Sequence, residues 1–452
     1  MTFSEYIASI DFLNLYKKKI LPKKGGGRDN VSPETYLKSF KNEIDWLRDK
    51  LIDGSYRFSP YREKLLLKGK NMTPRVLSLP SVRDRFALSL LNEYLSSHLG
   101  ITQMIPNLYI TKITKFINTA RAAKKDVFFF KTDISTFFDN INHSVLLNYL
   151  SNIIDGTAIR LVIRAITTPT ISDSTEYTLI NSKGLPQGLA ISNTLANHYV
   201  SGFHKEMEKS LNNCLFLRYV DDMIVLSTRQ HDFKRIIINS IDKHNLGLEL
   251  TTSKTVEGKI EDGFDFLGYH IIGESISVKK KNKDYYSNRL VKRCSLLKKQ
   301  FEDTLIRPRY ASADEEFLNY AEAELNLMIS GFKAGNHNYG WIAYFQRIND
   351  LSMLYQFDRL IRNHLGKKLC GQITINSIVD TYFALKKNGG KNYLIDFDQI
   401  HDRGKRIAYL RKFGYIKLND PNDISNEEVD RLFNRMVANF QKQSERDVAE
   451  KS

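Results

Sequence analysis

Two aspartates stand side by side, Asp221 and Asp222, inside the stretch LRYVDDMIVL. Apolar runs flank them, so the stretch reads as a buried β-hairpin with both carboxylates at its tip. Two-residue hairpin turns favour Asn-Gly, Asp-Gly or Gly-Gly, because the central positions need positive φ. Asp-Asp suits that geometry poorly. Two carboxylates about 4 Å apart repel by roughly 4 kcal/mol at an effective dielectric of 20. A divalent cation would turn that cost into a binding site, and hard oxygens are the ligands Mg²⁺ takes. Upstream, Asp133 closes a second hydrophobic β-run, DVFFFKTD. It too is a carboxylate at the exit of a buried strand, where Mg²⁺ could be shared between strands. Two Mg²⁺ ions held by Asp133 and Asp221 would support in-line nucleotidyl transfer. One would activate a 3′-hydroxyl and the other would steady the triphosphate and the leaving pyrophosphate. Each feature alone has a plainer reading: a solvated turn for Asp221-Asp222, and an N-cap or strand-end charge for Asp133.

The elements that must hold these carboxylates are legible around them. Ser32-Pro33-Glu34 reads as an N-cap, a proline at N1 and an acid in the first turn, so a helix should run on through Leu47 and Leu51. The segment SVRDRFALSLLNEYLSSHL reads as another helix. GLPQG is a turn with glycine at both ends, and Leu195, Tyr199, Phe203 and Met207 recur every four residues beyond it, one face of a helix. FDFLGYHI signals a further strand pair. From about Lys279 the pattern is helical and basic to the end. The expected fold class is α+β, with a mixed part of roughly 275 residues before a helical part of roughly 175.

A net charge of +16 and a pI near 9.4 favour a polyanionic partner, most often nucleic acid. A lysine-rich background with no particular partner is the alternative from charge alone. Hydrophobic residues at 42% of the 452 exclude a disordered chain. Cys214, Cys294 and Cys370 lack metal-site spacing and suggest a reduced, intracellular, cytoplasmic protein. No run of eighteen apolar residues predicts a membrane span, and MTFSEYIASIDF lacks the pattern of a signal peptide.

Six segments, in order, resemble the motifs of reverse transcriptases. KTDISTFFDNINH is similar to the first palm motif, GLPQGLAISNTLAN to the second and RYVDD to the third. LGLELTTSKT and FDFLGYHI resemble the next two, the latter the primer-grip strand. LLKGKNMTPRVLSLPSVRDR is similar to the fingers segment of bacterial, group II intron-like enzymes. The resemblance covers roughly Gly25 to Leu365. It implies an RNA-directed DNA polymerase with a right-hand fold. Residues 1–125 would form the fingers with an N-terminal basic extension and 126–275 an antiparallel-sheet palm with inserted fingers elements. Residues 276–365 would form a helical thumb and 366–452 a small helical, RNA-binding extension.

The resemblance also implies roles, position by position. Asp133 and Asp221 would be the principal Mg²⁺ ligands, with a backbone carbonyl from Ile134 and support from Asp222; Mn²⁺ is a substitute. Phe138 matches the steric gate that leaves no room for a ribose 2′-hydroxyl, although Phe137 or Phe138 must face the core in any case. Gln187 would line the nucleotide pocket, and Gly184 and Gly188 allow close backbone approach. Lys68 and Arg75 would meet the triphosphate; a solvated basic loop is the alternative. Lys254 would act as general acid toward pyrophosphate. Phe266, Leu267, Gly268 and Tyr269 match the primer grip.

From Lys279 to Lys299 the chain carries a single acid, Asp284, among many bases. Here the family's thumb begins, and Lys279, Lys280, Lys281, Arg289, Lys292 and Arg293 would contact the nucleic-acid backbone, the last three from one helical face. Trp341, Tyr344 and Phe345 resemble later thumb helices, with core packing as an equal explanation. Arg403, Lys405, Arg406, Arg411 and Lys412 interleave with Tyr409, Phe413 and Tyr415, which suits RNA. An amphipathic helix would look the same. Val220 stands where many group II enzymes have Ala, and Asn193 where they have Pro. No Cys/His endonuclease pattern follows. The whole resembles the free-standing bacterial enzymes of antiphage defence, which work with a dedicated structured non-coding RNA. Template RNA, nascent cDNA and dNTPs are the implied partners, with no membrane and an open oligomeric state. A group II intron maturase, a purely RNA-binding factor and an RNA-dependent RNA polymerase are the other readings.

Overall fold

The computed structural model describes residues 1–22, 25–67, 74–100, 104–172, 180–416 and 424–448. The chain divides into two compact units, residues 1–104 with 115–260, and residues 105–114 with 261–452. The first unit opens with helices α1 (Phe3–Ser9), α2 (Phe12–Lys19) and α3 (Pro33–Ile52). Strands β1 (Tyr61–Leu66) and β2 (Arg75–Leu79) and helix α4 (Val82–Leu99) follow, then helix α5 (Pro106–Ala122), whose residues up to Thr114 belong to the second unit. Strand β3 (Phe128–Asp133) leads to α6 (Phe137–Asn140), α7 (His143–Ser151), α8 (Gly156–Thr167) and the short β4 (Thr170–Ile171). Helices α9 (Ser192–Tyr199) and α10 (Ser201–Ser210), strands β5 (Leu215–Tyr219) and β6 (Asp222–Ser227), helix α11 (Phe233–Lys243) and strand β7 (Val256–Lys259) complete it.

Local chemistry accounts for the expected helices. Ser32 caps α3 by accepting from the Thr35 amide, and Pro33 sits at N1. Ser81 caps α4 in the same way through Asp84, and Gly100 ends that helix in the left-handed region. Each such cap stabilises by about 1 kcal/mol. Leu195, Tyr199, Phe203 and Met207 are all buried, as their spacing requires. They lie on two helices and not one, because Val200 leaves helical geometry (φ −101°, ψ 12°) between α9 and α10.

The central sheet is antiparallel, in the order β5-β6-β3-β7. Met223 to Leu226 are wholly buried, so β6 is its apolar heart. A second sheet, β2-β1-β4, pairs β1 with β2 antiparallel and with β4 parallel. This mixture of helices and antiparallel sheets is the α+β class expected from the pattern.

The second unit begins with the antiparallel strands β8 (Phe264–Phe266), β9 (Tyr269–Ile272) and β10 (Ser275–Val278). Helices α12 (Lys280–Glu302) and α13 (Asp314–Ser330), strands β11 (Phe332–Ala334) and β12 (His337–Tyr339), and helices α14 (Trp341–Tyr344), α15 (Ser352–Cys370) and α16 (Ile378–Asn388) come next. Strand β13 (Ile395–Asp396) and helices α17 (Arg403–Lys412) and α18 (Asn426–Val448) end it. The units divide at Ile260, so β8–β10 belong to the second unit.

The helical expectation for the C-terminal part needs one correction. A small sheet, β12-β11-β13, lies within it. Phe332 pairs with Tyr339 on one side and Ile395 on the other. Phe332, Phe397, Leu410, Phe413, Phe433 and Phe440 gather there in a core separate from that of the first unit.

Candidate active site

The three aspartates meet at one end of the central sheet. Asp133 is the last residue of β3 and lies directly across from Asp222, the first residue of β6. Tyr219 also pairs with Asp222, so the two-residue turn is Val220-Asp221. This corrects the hairpin reading: only Asp221 is at the tip, and Asp222 is already in the strand. Val220 takes positive φ, 57°, an unusual conformation for a β-branched residue. The Arg218 guanidinium donates to the Val220 carbonyl at 2.8 Å and to Asn197 at 3.0 Å, which braces the turn.

Backbone bonds fix the exit of β3. The Ile134 amide donates to the Asp221 carbonyl at 3.0 Å, Ser135 to Glu249 at 2.8 Å, and Thr251 to Asp133 at 2.8 Å. Lys254, on the single turn that follows Thr251, ion-pairs with Asp133. Lys131 lies two residues before Asp133 and therefore on the same face of β3. Its ammonium is 3.0 Å from the Asp222 carboxylate. Burial and the neighbouring Asp133 raise the Asp221 carboxyl above its ordinary range, against the pull of Lys254 and Arg75. Burial pushes Asp222 up to about 7, against Lys131, with Asp133 and Asp221 adding to the rise.

Among the described residues, no three His, Cys, Asp or Glu side chains already converge as a metal cage. Two of the three carboxylates are instead held by lysines. Their chemistry nevertheless fits a divalent ion. They are hard oxygens in a largely buried place, where burial disfavours the charged form of both hairpin aspartates despite the nearby cations.

Next to this cluster, Arg75 on β2 donates through Nε to the Gln187 side-chain oxygen. Gln187 Nε2 donates to Asp139 Oδ1 at 3.2 Å, and its carbonyl accepts from the Ser78 amide at 2.7 Å. Gly184 and Gly188 have φ of 80° and 104°. A Cβ on Gly184 would lie 2.8 Å from the Asp139 carbonyl oxygen, so the turn lies flat on α6. Phe137 is buried and Phe138 is partly exposed beside it. A cavity of about 430 Å³ opens here, lined by Val76, Asp139, Lys183 and Gln187 among others.

Residues 67–271 match the family model described as "Reverse transcriptase (RNA-dependent DNA polymerase)". The chain carries a reverse transcriptase domain. Such a domain is an RNA-directed DNA polymerase and works with divalent metal ions. Protein YkfC of Escherichia coli (strain K12) is 23% identical over 290 residues, 54% of this chain and 75% of that protein. The Putative COX1/OXI3 intron 2 protein of Saccharomyces cerevisiae is 23% identical over 336 residues, 59% of this chain but only 38% of the yeast protein. Among solved structures, apo telomerase from Candida tropicalis overlaps 88% of this chain and 74% of its own, with a TM-score of 0.43 and 15% identity. Telomerase from Candida albicans with a fragment of telomeric RNA overlaps 84% and 69%, with a TM-score of 0.41 and 11% identity.

Within the reverse transcriptase domain, Asp133, Ile134, Asp221, Asp222 and Lys254 form one cluster; Gln187 and Asp139 line the adjoining pocket, Arg75 bonds to Gln187, and Phe138 precedes Asp139 in the chain. Lys68 lies outside the described residues. Phe266 and Tyr269 face each other across the β8–β9 turn. Leu267 and Gly268 fill that turn, with φ of 49° and 80°, the signature of a type I′ hairpin. Tyr269 is buried and its hydroxyl donates to Asn107 and to the Tyr344 carbonyl.

Of the six basic residues at the start of the expected thumb, Lys280, Lys281 and Lys292 are exposed on α12. Lys279 caps α12 and lies 3.6 Å from Asp265. Arg289 ion-pairs with the buried Asp447, and Arg293 with Glu324 at 2.8 Å, so both face the interior of the unit. Trp341 and Phe345 are buried, Trp341 stacked on Tyr286. At the end of α17 the buried Phe413 packs on Phe440, and within it the partly buried Tyr409 packs on Phe397. Arg406 pairs with Asp430 and covers Phe433. The segment folds as an amphipathic helix, with Tyr409 and Tyr415 partly buried.

Sequence reasoning missed Lys131 and Asp139. Strand alternation from Asp133 would have found Lys131. Asp139 stands in KTDISTFFDNINH as the second aspartate of the first palm motif, but its partner is distant in the chain, so no role could be read for it there.

Proposed function

We propose that this protein copies a structured non-coding RNA into DNA by nucleotidyl transfer at Asp133, Asp221 and Asp222, in bacterial antiphage defence. The observation that supports the chemistry is the placement of Asp133 opposite Asp222 with Asp221 on the adjoining turn. Asp133 and Asp221, with the Ile134 carbonyl and Asp222 beside them, are the residues that would hold Mg²⁺ or, in its place, Mn²⁺. When bound, the ions would supply a more acidic primer hydroxyl and neutralised phosphate charge.

The chain's own residues would do the rest. Arg75 and Lys68 pair with triphosphate oxygens, bidentately in the case of Arg75. Gln187 lines the base-pair pocket, and Phe138 closes the space beside the sugar C2′. Lys254 hands a proton to the departing pyrophosphate. The primer rests on the turn of Leu267 and Gly268. The exposed lysines of α12 follow the phosphate backbone, whose contacts are blind to sequence. The resemblance to free-standing bacterial enzymes is what supports the defence role.

A maturase that assists the splicing of an intron is the second reading, favoured by the similarity to the yeast intron 2 protein. The test is to sequence the RNA and DNA that copurify with the chain expressed from its native locus, beside an Asp221→Asn, Asp222→Asn control. One structured RNA with complementary DNA, the DNA lost in the control, is the expected result. A spliced intron or its lariat selects the maturase. A broad mixture of cellular RNA with no DNA rejects both.

A further inference from the structure

The amide of Gln187 is held from both sides. Arg75 Nε can only donate, so the oxygen of the Gln187 amide must face it. The Asp139 carboxylate accepts, so the nitrogen must face that way, and it does at 3.2 Å. A flipped amide would set donor against donor at one end and acceptor against acceptor at the other. The chain Arg75–Gln187–Asp139 therefore has one polarity only. We propose that Asp139 is a positioning residue for nucleotide binding, acting through Gln187 to aim the Arg75 guanidinium at the triphosphate.

Three further observations carry the idea. First, the bond to Gln187 uses Nε of Arg75, which leaves its two terminal nitrogens as the edge that can meet phosphate oxygens. Second, the Ser78 amide of β2 donates to the Gln187 carbonyl at 2.7 Å, so the strand that carries Arg75 and the turn that carries Gln187 are tied at a second point. Third, the backbone of Asp139 is fixed independently of its side chain. Its amide donates to Thr136 at 3.0 Å, and Gly184 and Leu185 donate to the Ile141 and Phe138 carbonyls on either side, each at 2.8 Å. The side chain is exposed at the cavity that Gln187 also lines. An exposed carboxylate on a backbone held this firmly has little to do for folding. Among the described residues, its side chain bonds to Gln187.

The inference rests on the polymerase reading, and the experiment separates the two. Wild type, Asp139→Ala, Asp139→Asn, Gln187→Ala and the double variant Asp139→Ala, Gln187→Ala are compared in two assays. One is primer extension on an RNA template. The other is equilibrium dNTP binding to a primer–template ended by a dideoxynucleotide, which needs no chemistry. Asp139→Ala should raise the KM and the Kd for dNTP by about tenfold, as loss of a charge-assisted hydrogen bond of roughly 1.4 kcal/mol would. The kcat should change by less than about threefold, and the melting temperature should not move. Asp139→Asn, which still presents an acceptor oxygen, should stay within about threefold of wild type. In the Gln187→Ala background, Asp139→Ala should add nothing, because its effect runs through the missing amide. A wild type that binds and extends, with Asp139→Ala identical to it, overturns the inference alone. So does an additive loss in the double variant, or a fall in melting temperature that matches the loss of binding. A wild type that neither binds nor extends overturns the polymerase reading and this inference with it.

Discussion

Asp133, Asp221 and Asp222 were conspicuous in the sequence because each places a charge against an apolar β-run. The register of the hairpin was not legible there. It is fixed by Tyr219 facing Asp222 across the turn, which leaves a valine at positive φ where small or polar residues are the rule. Lys131 shows what the cluster lacks. It sits on the face of β3 that carries Asp133 and neutralises Asp222, which is largely buried. Lys131→Met should destabilise the metal-free protein by about 1–3 kcal/mol, because it strands a buried carboxylate. Thermal unfolding with and without millimolar Mg²⁺ reads this. The deficit should shrink in Mg²⁺, and a deficit unchanged by the ion would mean that the carboxylates do not share it. Phe138 offers a test at the same scale. Phe137 is buried in the core, which leaves the partly exposed Phe138 to meet substrate. Phe138→Ala should narrow the preference for dNTP over rNTP by at least about tenfold in single-nucleotide incorporation. Equal selectivity in both proteins would remove the gate from Phe138.

Helices with strong caps were readable from the sequence as elements, and those with long-range partners were not. Ser32 and Ser81 announce α3 and α4 within a single turn of chain. The sheet β12-β11-β13 could not be foreseen, because its strands have two or three residues each and Phe332 finds its partner Ile395 far along the chain. Asp155 joins local and distant roles. It caps α8 through the Thr157 and Ala158 amides and also accepts from the Phe3 amide at 2.8 Å and the Tyr94 hydroxyl at 2.7 Å. Burial alone would raise its carboxyl. The four hydrogen bonds outweigh that and hold it below the ordinary aspartate value. A depressed carboxyl contributes stability that is present above the unfolded-state pKa and is lost as pH falls through the folded one. Asp155→Ala should therefore cost about 1–3 kcal/mol at pH 7. The gap from wild type should begin to close below roughly pH 4. Denaturant midpoints across that window measure it, and a gap constant with pH would assign the effect to packing instead.

For the molecule as a whole, the net charge of +16 was plain in the sequence, but not which cations face solvent. Spacing alone put Arg289, Lys292 and Arg293 on one face of α12. The fold separates them. Arg289 and Arg293 turn toward Asp447 and Glu324, and these partners are contributed by α18 and α13, which no local pattern could reveal. Lys292 stays exposed. The three residues should therefore respond differently when RNA affinity is measured against salt. Each phosphate contact contributes a slope of roughly −0.7 to −0.9 to the logarithmic plot, through release of a counterion. Lys292→Ala should reduce the slope by about that amount and leave the melting temperature alone. Arg289→Ala should leave the slope unchanged and lower the melting temperature, because it exposes Asp447 to burial without its partner. If Arg289→Ala changes the slope as Lys292→Ala does, the Arg289–Asp447 pair opens on RNA, and the extension beyond α15 would then be a cover that nucleic acid displaces.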